Sequence, residues 1–283
     1  MIAKELVAKV KNLPTVSHAA LRLVSLLDQP AVSNEEVVDV LKYDTVLTAK
    51  LLRACNSPFF GLQEPVSSVE QAVLILGHQQ ILHIVLSLAF GGAMSAPLPG
   101  YATDAKELWS HSLTTALAAE QLAKSDIPIE VEPPVAFTAG LLHDIGKLVI
   151  NHVLTAEFQT AIRQRVNEGK RSRAEAEREV LGTDHGEVGA CLLETWHVPG
   201  EIVEAAGHHH VPVCSPKPRL SVVIHTANCL AHLVGETIRW EDYARQVSPE
   251  ANAVLEITPE KLEDLMIAAH DASAQVEHFM ALA

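Results

Sequence analysis

The chain has 283 residues and a formal net charge of −14, long enough for one large or two modest domains with a real core. Apolar residues make up 48% of it but aromatics only 4%, a balance rich in Ala, Leu and Val that favours helix packed on helix over strands. Residues 1–100 carry 7 Lys/Arg against 8 Asp/Glu, so nearly all the negative charge lies beyond them; an acidic surface repels phosphate backbones and excludes non-specific nucleic-acid binding.

Met1 to Leu13 alternates Lys/Glu with Leu/Val and lacks the apolar block of a signal peptide. Helix signals follow. Ala20, Leu23, Val24 and Leu27 recur at helical spacing and stop before Pro30. Ser33 to Glu36 reads as a capping box, with Val37, Val38 and Leu41 as the apolar stripe behind it. Asp44 caps a helix carrying Leu47, Leu51 and Leu52, ended by Asn56-Ser57-Pro58. Ser67-Ser68 starts another through Leu76, broken at Gly77, and Ile81 to Phe90 follows. Five short helices in series raise a helix-turn-helix DNA reader, but no basic recognition face accompanies them.

The apolar run Ile81 to Met94 is interrupted by His83 and Gly91-Gly92 and falls short of the ~20 residues that span a bilayer. A cytoplasmic protein without membrane contact is expected. Cys55, Cys191, Cys214 and Cys229 form no C-x-x-C pair and read as buried thiols in a reducing compartment.

Gly91 to Gly100 is rich in Gly and Pro and reads as a connector. This divides the chain into an N-terminal helical subdomain (1–92), the connector (93–104), a second helical subdomain (105–238) and a C-terminal extension (239–283). Helices are expected over 105–124, 134–150, 155–169, 172–181, 186–196, 199–207, 218–234 and 259–281. The charged stretch Arg163 to Glu179 reads as a solvated hairpin.

Nine of the fifteen histidines, His83, His225 and His232 among them, are scattered and suit surface or core roles. The other six cluster in pattern. Glu107 and His111, four apart, share one helix face. His143-Asp144 lies in Leu141-Leu142-His143-Asp144-Ile145-Gly146-Lys147, His185 opens a helix at Asp184-His185-Gly186-Glu187, and His208-His209-His210 follows one. Imidazoles and carboxylates from several helices can saturate a six-coordinate transition metal such as Fe or Mn. Bridging carboxylates let two ions share the site, and a bound water can be acidified into a nucleophile. Asp184 or Glu187 is expected to orient a ligating ring. Without an ion, His and Asp can instead satisfy one another by hydrogen bonds.

Trp109-Ser110-His111-Ser112-Leu113, Gly140 to Lys147 and His185-x-Glu187-Val188-Gly189 resemble the motifs of HD-type phosphohydrolases. Asn56-Ser57-Pro58-Phe59-Phe60-Gly61, Pro65 to Ala72 and Leu74-Ile75-Leu76-Gly77 resemble the HDOD family. That resemblance, over about residues 10–235, implies an all-α HD-superfamily bundle with an additional N-terminal helical subdomain, and a role in bacterial signalling. The related HD-GYP phosphodiesterases imply a ligand set of Glu107, His111, His143, Asp144, His185, His209 and His210. Where their closing Asp would stand this chain has Asn228, a neutral donor. The Gly-Tyr-Pro signature is missing as well, since Val211-Pro212 follows His210. Lys147, with Asp144 the candidate catalytic residue, is placed to contact a phosphate or simply to face solvent.

Three readings stand. One is a metal-binding signalling module acting through a protein partner or a small phosphorylated effector. The second is a metal-dependent phosphohydrolase of nucleotide phosphate esters, with Lys147 steadying the phosphate. The third is a helical adaptor with an empty site. The sequence contains no receiver or GGDEF output segment, and oligomeric state is left open.

Overall fold

The computed structural model describes residues 3–10, 16–26, 32–94, 98–101, 105–169, 171–215, 218–233, 247–268 and 276. Among them the chain is all-α, without strands. Four helices open it, α1 (Ala3–Lys9), α2 (His18–Leu26), α3 (Asn34–Leu41) and α4 (Thr45–Cys55). The long α5 (Val69–Met94) follows.

The expected caps form. Ser33 and Glu36 make a reciprocal capping box, and the Asp44 side chain accepts the Leu47 amide, satisfying amides the helix cannot bond internally. Asn56 does more than end α4. Its side chain clamps Val66, donating to the carbonyl at 2.8 Å and accepting the amide at 2.7 Å, which turns the chain back into α5.

Gly77, with φ 79° and ψ 155°, splits α5 into two rods; only glycine adopts that backbone cheaply. Val69–Gly91 is long and apolar enough by composition to cross a membrane, but it is kinked there and 56% of its most apolar window is packed inside the protein. It is the beam against which α2, α3 and α4 pack, and α6 and α7 as well.

The second half comprises α6 (Ala105–Lys124), α7 (Pro133–Leu142), α8 (Gly146–Val153) and α9 (Ala156–Gly169). Then come α10 (Arg173–Leu181), α11 (His185–Thr195), α12 (Gly200–His208), α13 (Pro218–Leu233) and α14 (Pro249–Leu255). Helix α1 reaches over to pack on α8 and α11. One buried apolar cluster runs through both halves.

Three expectations change. The single helix read over 134–150 is two, α7 and α8, interrupted at residues 143–145. Helix α14 gave no signal that was recognised. Cys214 is exposed, although Cys55 and Cys229 are buried, and all four thiols are free. Of the helix read over 259–281, residues 259–268 are helical and most of the remainder lies outside the described residues, as do 95–97 and 102–104 of the connector.

Candidate metal centre

Close backbone contacts bring the site together. On α7, a Cβ added at Gly140 would meet the Ala116 Cα at 2.7 Å, so α7 presses onto α6 near the turn that carries His111. At the start of α8, a Cβ on Gly146 would lie 1.9 Å from the His185 carbonyl oxygen and 2.5 Å from the Gly189 amide. Helices α8 and α11 therefore meet backbone to backbone, and His185 stands beside Asp144. The break between α7 and α8 lets both contacts be made: Ile145, Lys147 and Leu148 each donate three residues back, a tighter winding than the α-helix. At the end of α12, the His209 carbonyl accepts from His225 Nδ1 at 2.8 Å.

Asp144, 1% exposed, is the hub. Its Oδ2 lies 3.3 Å from His143 Nε2 and 3.7 Å from His111 Nε2. Its Oδ1 lies 3.3 Å from His185 Nε2 and 3.8 Å from His209 Nε2. Two groups of donor atoms result, His111–His143–Asp144 and His185–His209–His210, each with its atoms within 4.8 Å of one another. Lys147 pairs with Asp144 Oδ2.

The tautomers are set by the rings' other nitrogens. His143 Nδ1 donates to the Gly140 carbonyl and His209 Nδ1 to the Ala206 carbonyl, each at 2.7 Å. A neutral ring that spends its proton there offers a lone pair at Nε2. Burial holds His209 well below the ordinary imidazole range, so its lone pair faces the Asp144 carboxylate. Burial does the same to His111. Burial pushes Asp144 up, but the neighbouring His143 and the Lys147 ammonium outweigh it, and the carboxyl is held well below its usual range. The Nε2 atoms of His111, His143 and His209 and the Asp144 Oδ1 are buried with no hydrogen-bond partner. Each such atom costs about 1–3 kcal/mol. Lone pairs turned toward a carboxylate are the arrangement that a cation completes, and the donor set fits a divalent transition ion.

His185 differs from the other rings. Its Nδ1 lies 2.6 Å from Glu177 Oε2, which also accepts the His185 amide at 2.9 Å. Burial pushes His185 down, but Glu177 and Asp144 overcome it and raise the ring to about 9. Burial likewise raises Glu177, yet His185, Tyr101 and Arg173 bring it down to about 2. His185 Nε2 lies 2.7 Å from His210 Nε2, a contact that needs a proton or an ion between the two nitrogens.

The sequence reading missed Glu177. It lies within Arg163 to Glu179, read as solvated, yet it is 0% exposed. The carboxylates expected to orient a ring do other work: Asp184 accepts the Glu187 amide and pairs with Arg178, and Glu187 accepts from Thr183. No local signal marked it: Arg173 four residues before Glu177 is also the pattern of a solvent-facing pair.

Other candidates fall around the centre. Glu107 is exposed, one turn before His111 and in neither donor group. It lines, with Leu98, Tyr101, Leu108, His111, Lys147 and His232, a cavity of about 240 Å³ that reaches the ligands. His232, read as scattered, stacks on His111 at 4.5 Å between centroids. Tyr101 lies between Arg173 at 4.2 Å and Lys147 at 5.9 Å. Asn228 stands one turn before His232, 7% exposed, its Oδ1 buried without a partner.

An all-α protein with an HD pair at a helix break, ringed by buried histidines from neighbouring helices, belongs to the HD superfamily. The HDOD domain pattern matches residues 13–212, and the chain belongs to that family. It is similar in structure to an HDOD domain protein of unknown function from Geobacter sulfurreducens, with TM-score 0.73, 26% identity and coverage of 99% of this chain and 95% of that one. It is also similar to a candidate phosphohydrolase from Shewanella amazonensis SB2B, with TM-score 0.74, 25% identity and coverage of 98% and 97%. An uncharacterised protein of Treponema pallidum (strain Nichols) is 23% identical over 243 residues, covering 83% of this chain. The chain spans only 45% of that relative's length.

Proposed function

We propose that the chain is a bacterial signal-transduction module of the cytoplasm. It holds one or two divalent transition-metal ions, Fe or Mn, and acts by binding a signalling protein or a small phosphorylated effector, with weak or no hydrolysis. The observation that carries the metal reading is the set of buried, partnerless Nε2 atoms of His111, His143 and His209 gathered around Asp144. Asn228, with a neutral oxygen where related enzymes bring a carboxylate, supports binding over turnover, because it removes one negative charge from the centre.

The second reading, a metal-dependent phosphohydrolase or phosphodiesterase, is favoured by Lys147, which faces the same cavity as His111. Bound ions would polarise a phosphoryl oxygen and acidify a water; Lys147 would neutralise phosphate charge at the cavity wall.

Elemental analysis of protein purified without chelator tests the shared premise. Iron or manganese at one to two ions per chain is expected, and none in Asp144→Ala. Absence of metal after supplementation with Fe, Mn and Zn overturns both readings. Turnover of bis-(p-nitrophenyl) phosphate by the loaded protein, abolished in Asp144→Ala, would replace the signalling reading with the enzyme.

A further inference from the structure

We infer that the two halves of the centre are unequal: Glu177 is a positioning residue that makes His185–His209–His210 the tighter ion site, filled before His111–His143–Asp144. The inference rests on the metal reading above.

On the His185 side, Glu177 is fully buried and each of its oxygens is engaged. Oε2 accepts from His185 Nδ1 and from the His185 amide, and Oε1 accepts from Arg173 Nε at 3.1 Å. Arg173 is tied in turn, donating to the Gly100 carbonyl at 2.8 Å. The ring therefore cannot rotate away. An imidazole that donates to a carboxylate is also a stronger donor at its other nitrogen. The Nε2 atoms of His185 and His210, 2.7 Å apart, already approach the ~3 Å that two adjacent ligands at ~2.1 Å from one ion adopt. Asp144 Oδ1, which faces this side, is buried and without a hydrogen-bond partner.

The other half lacks each of these features. His143 is held by a neutral carbonyl, and His111 is stacked on His232. Asp144 Oδ2, its carboxylate oxygen, already carries the Lys147 ammonium, a cation that competes with an incoming ion and repels it. Asn228 adds no charge. One side thus has a buried anion behind a ligand, while the other has a partly exposed cation beside one.

Calorimetric titration of metal-free protein with Mn²⁺ tests the inference. Two steps at least 10-fold apart in affinity are expected. Glu177→Gln, nearly isosteric, should weaken the first by about 10–100-fold and leave the second in place. Asn228→Asp should tighten the second alone. An unchanged first step in Glu177→Gln, or equal weakening of both, overturns the assignment. A wild type that takes up no ion overturns the metal reading itself. Should Glu177→Gln fail to fold, anomalous scattering from wild-type crystals carrying one equivalent of Mn²⁺ decides: density among His185, His209 and His210 is expected, and density between His111 and His143 refutes the order.

Discussion

Lys147 is the residue whose surroundings pull in two directions. It pairs with Asp144 and lies on the wall of the cavity that leads to His111. A charge-assisted hydrogen bond contributes about 1.5–3 kcal/mol, so Lys147→Met should weaken binding of inorganic phosphate to the metal-loaded protein by ~10–100-fold. Metal uptake should persist or tighten, since a competing cation has gone. Calorimetry with phosphate on the loaded variant checks this; an unchanged phosphate affinity would mean that Lys147 serves only to balance Asp144. At this scale the sequence was informative wherever a residue type is costly to bury. His143-Asp144 and the His185, His209 and His210 donors stood out because they cluster in strings that resemble the HD-type motifs. Glu177 did not stand out: a Glu among Arg residues on a charged helix has the same local pattern whether it faces water or a ligand's back. Burial alone separates the two, and burial is a property of the packed helices.

At the scale of elements, most helices were readable from periodicity and caps. The break between α7 and α8 was not. Residues 143–145 contain no Pro or Gly, and the apolar pattern runs through them without a change of phase, so nothing local ends the helix. The cause is tertiary: Gly146 must sit against the His185 carbonyl. Gly146→Ala therefore forces α8 and α11 apart. Overpacking of this kind costs about 1–3 kcal/mol, and the expected result is a melting temperature several degrees lower together with weaker metal uptake, because Asp144 and His185 separate. Gly200→Ala is the control. Nothing lies within 4 Å of a Cβ there, so stability should hold or rise slightly. Equal losses in both variants would show that glycine flexibility, not the α8–α11 approach, is what matters.

At the scale of the molecule, the joint between the N-terminal helices and the metal-centre bundle contains a buried titratable pair, where the sequence alone suits His83 to either a surface or a core role. His83 on α5 stacks on Phe137 of α7 with 3.9 Å between centroids and lies 3.4 Å from Glu120 of α6, whose other partner is Lys124 at 2.9 Å. Burial lowers His83 to about 4, with Glu120 opposing it and Lys124 assisting. A folded-state value depressed below the ordinary 6.5 means the unfolded chain binds the proton more readily. The stability His83 contributes is therefore complete above about pH 6.5 and is lost as pH falls toward 4. His111, His209 and His210, also held neutral by burial, act in the same direction in the metal-free protein. Replacing His83 with Phe keeps an aromatic against Phe137 and removes the proton. Between pH 7 and pH 5 the metal-free His83→Phe variant should lose about 2 kcal/mol less unfolding free energy than wild type, measured by urea denaturation at each pH. Identical losses would place the acid sensitivity wholly in the metal-centre histidines; a larger loss in the variant would mean that Glu120 depends on His83 to remain buried at this joint.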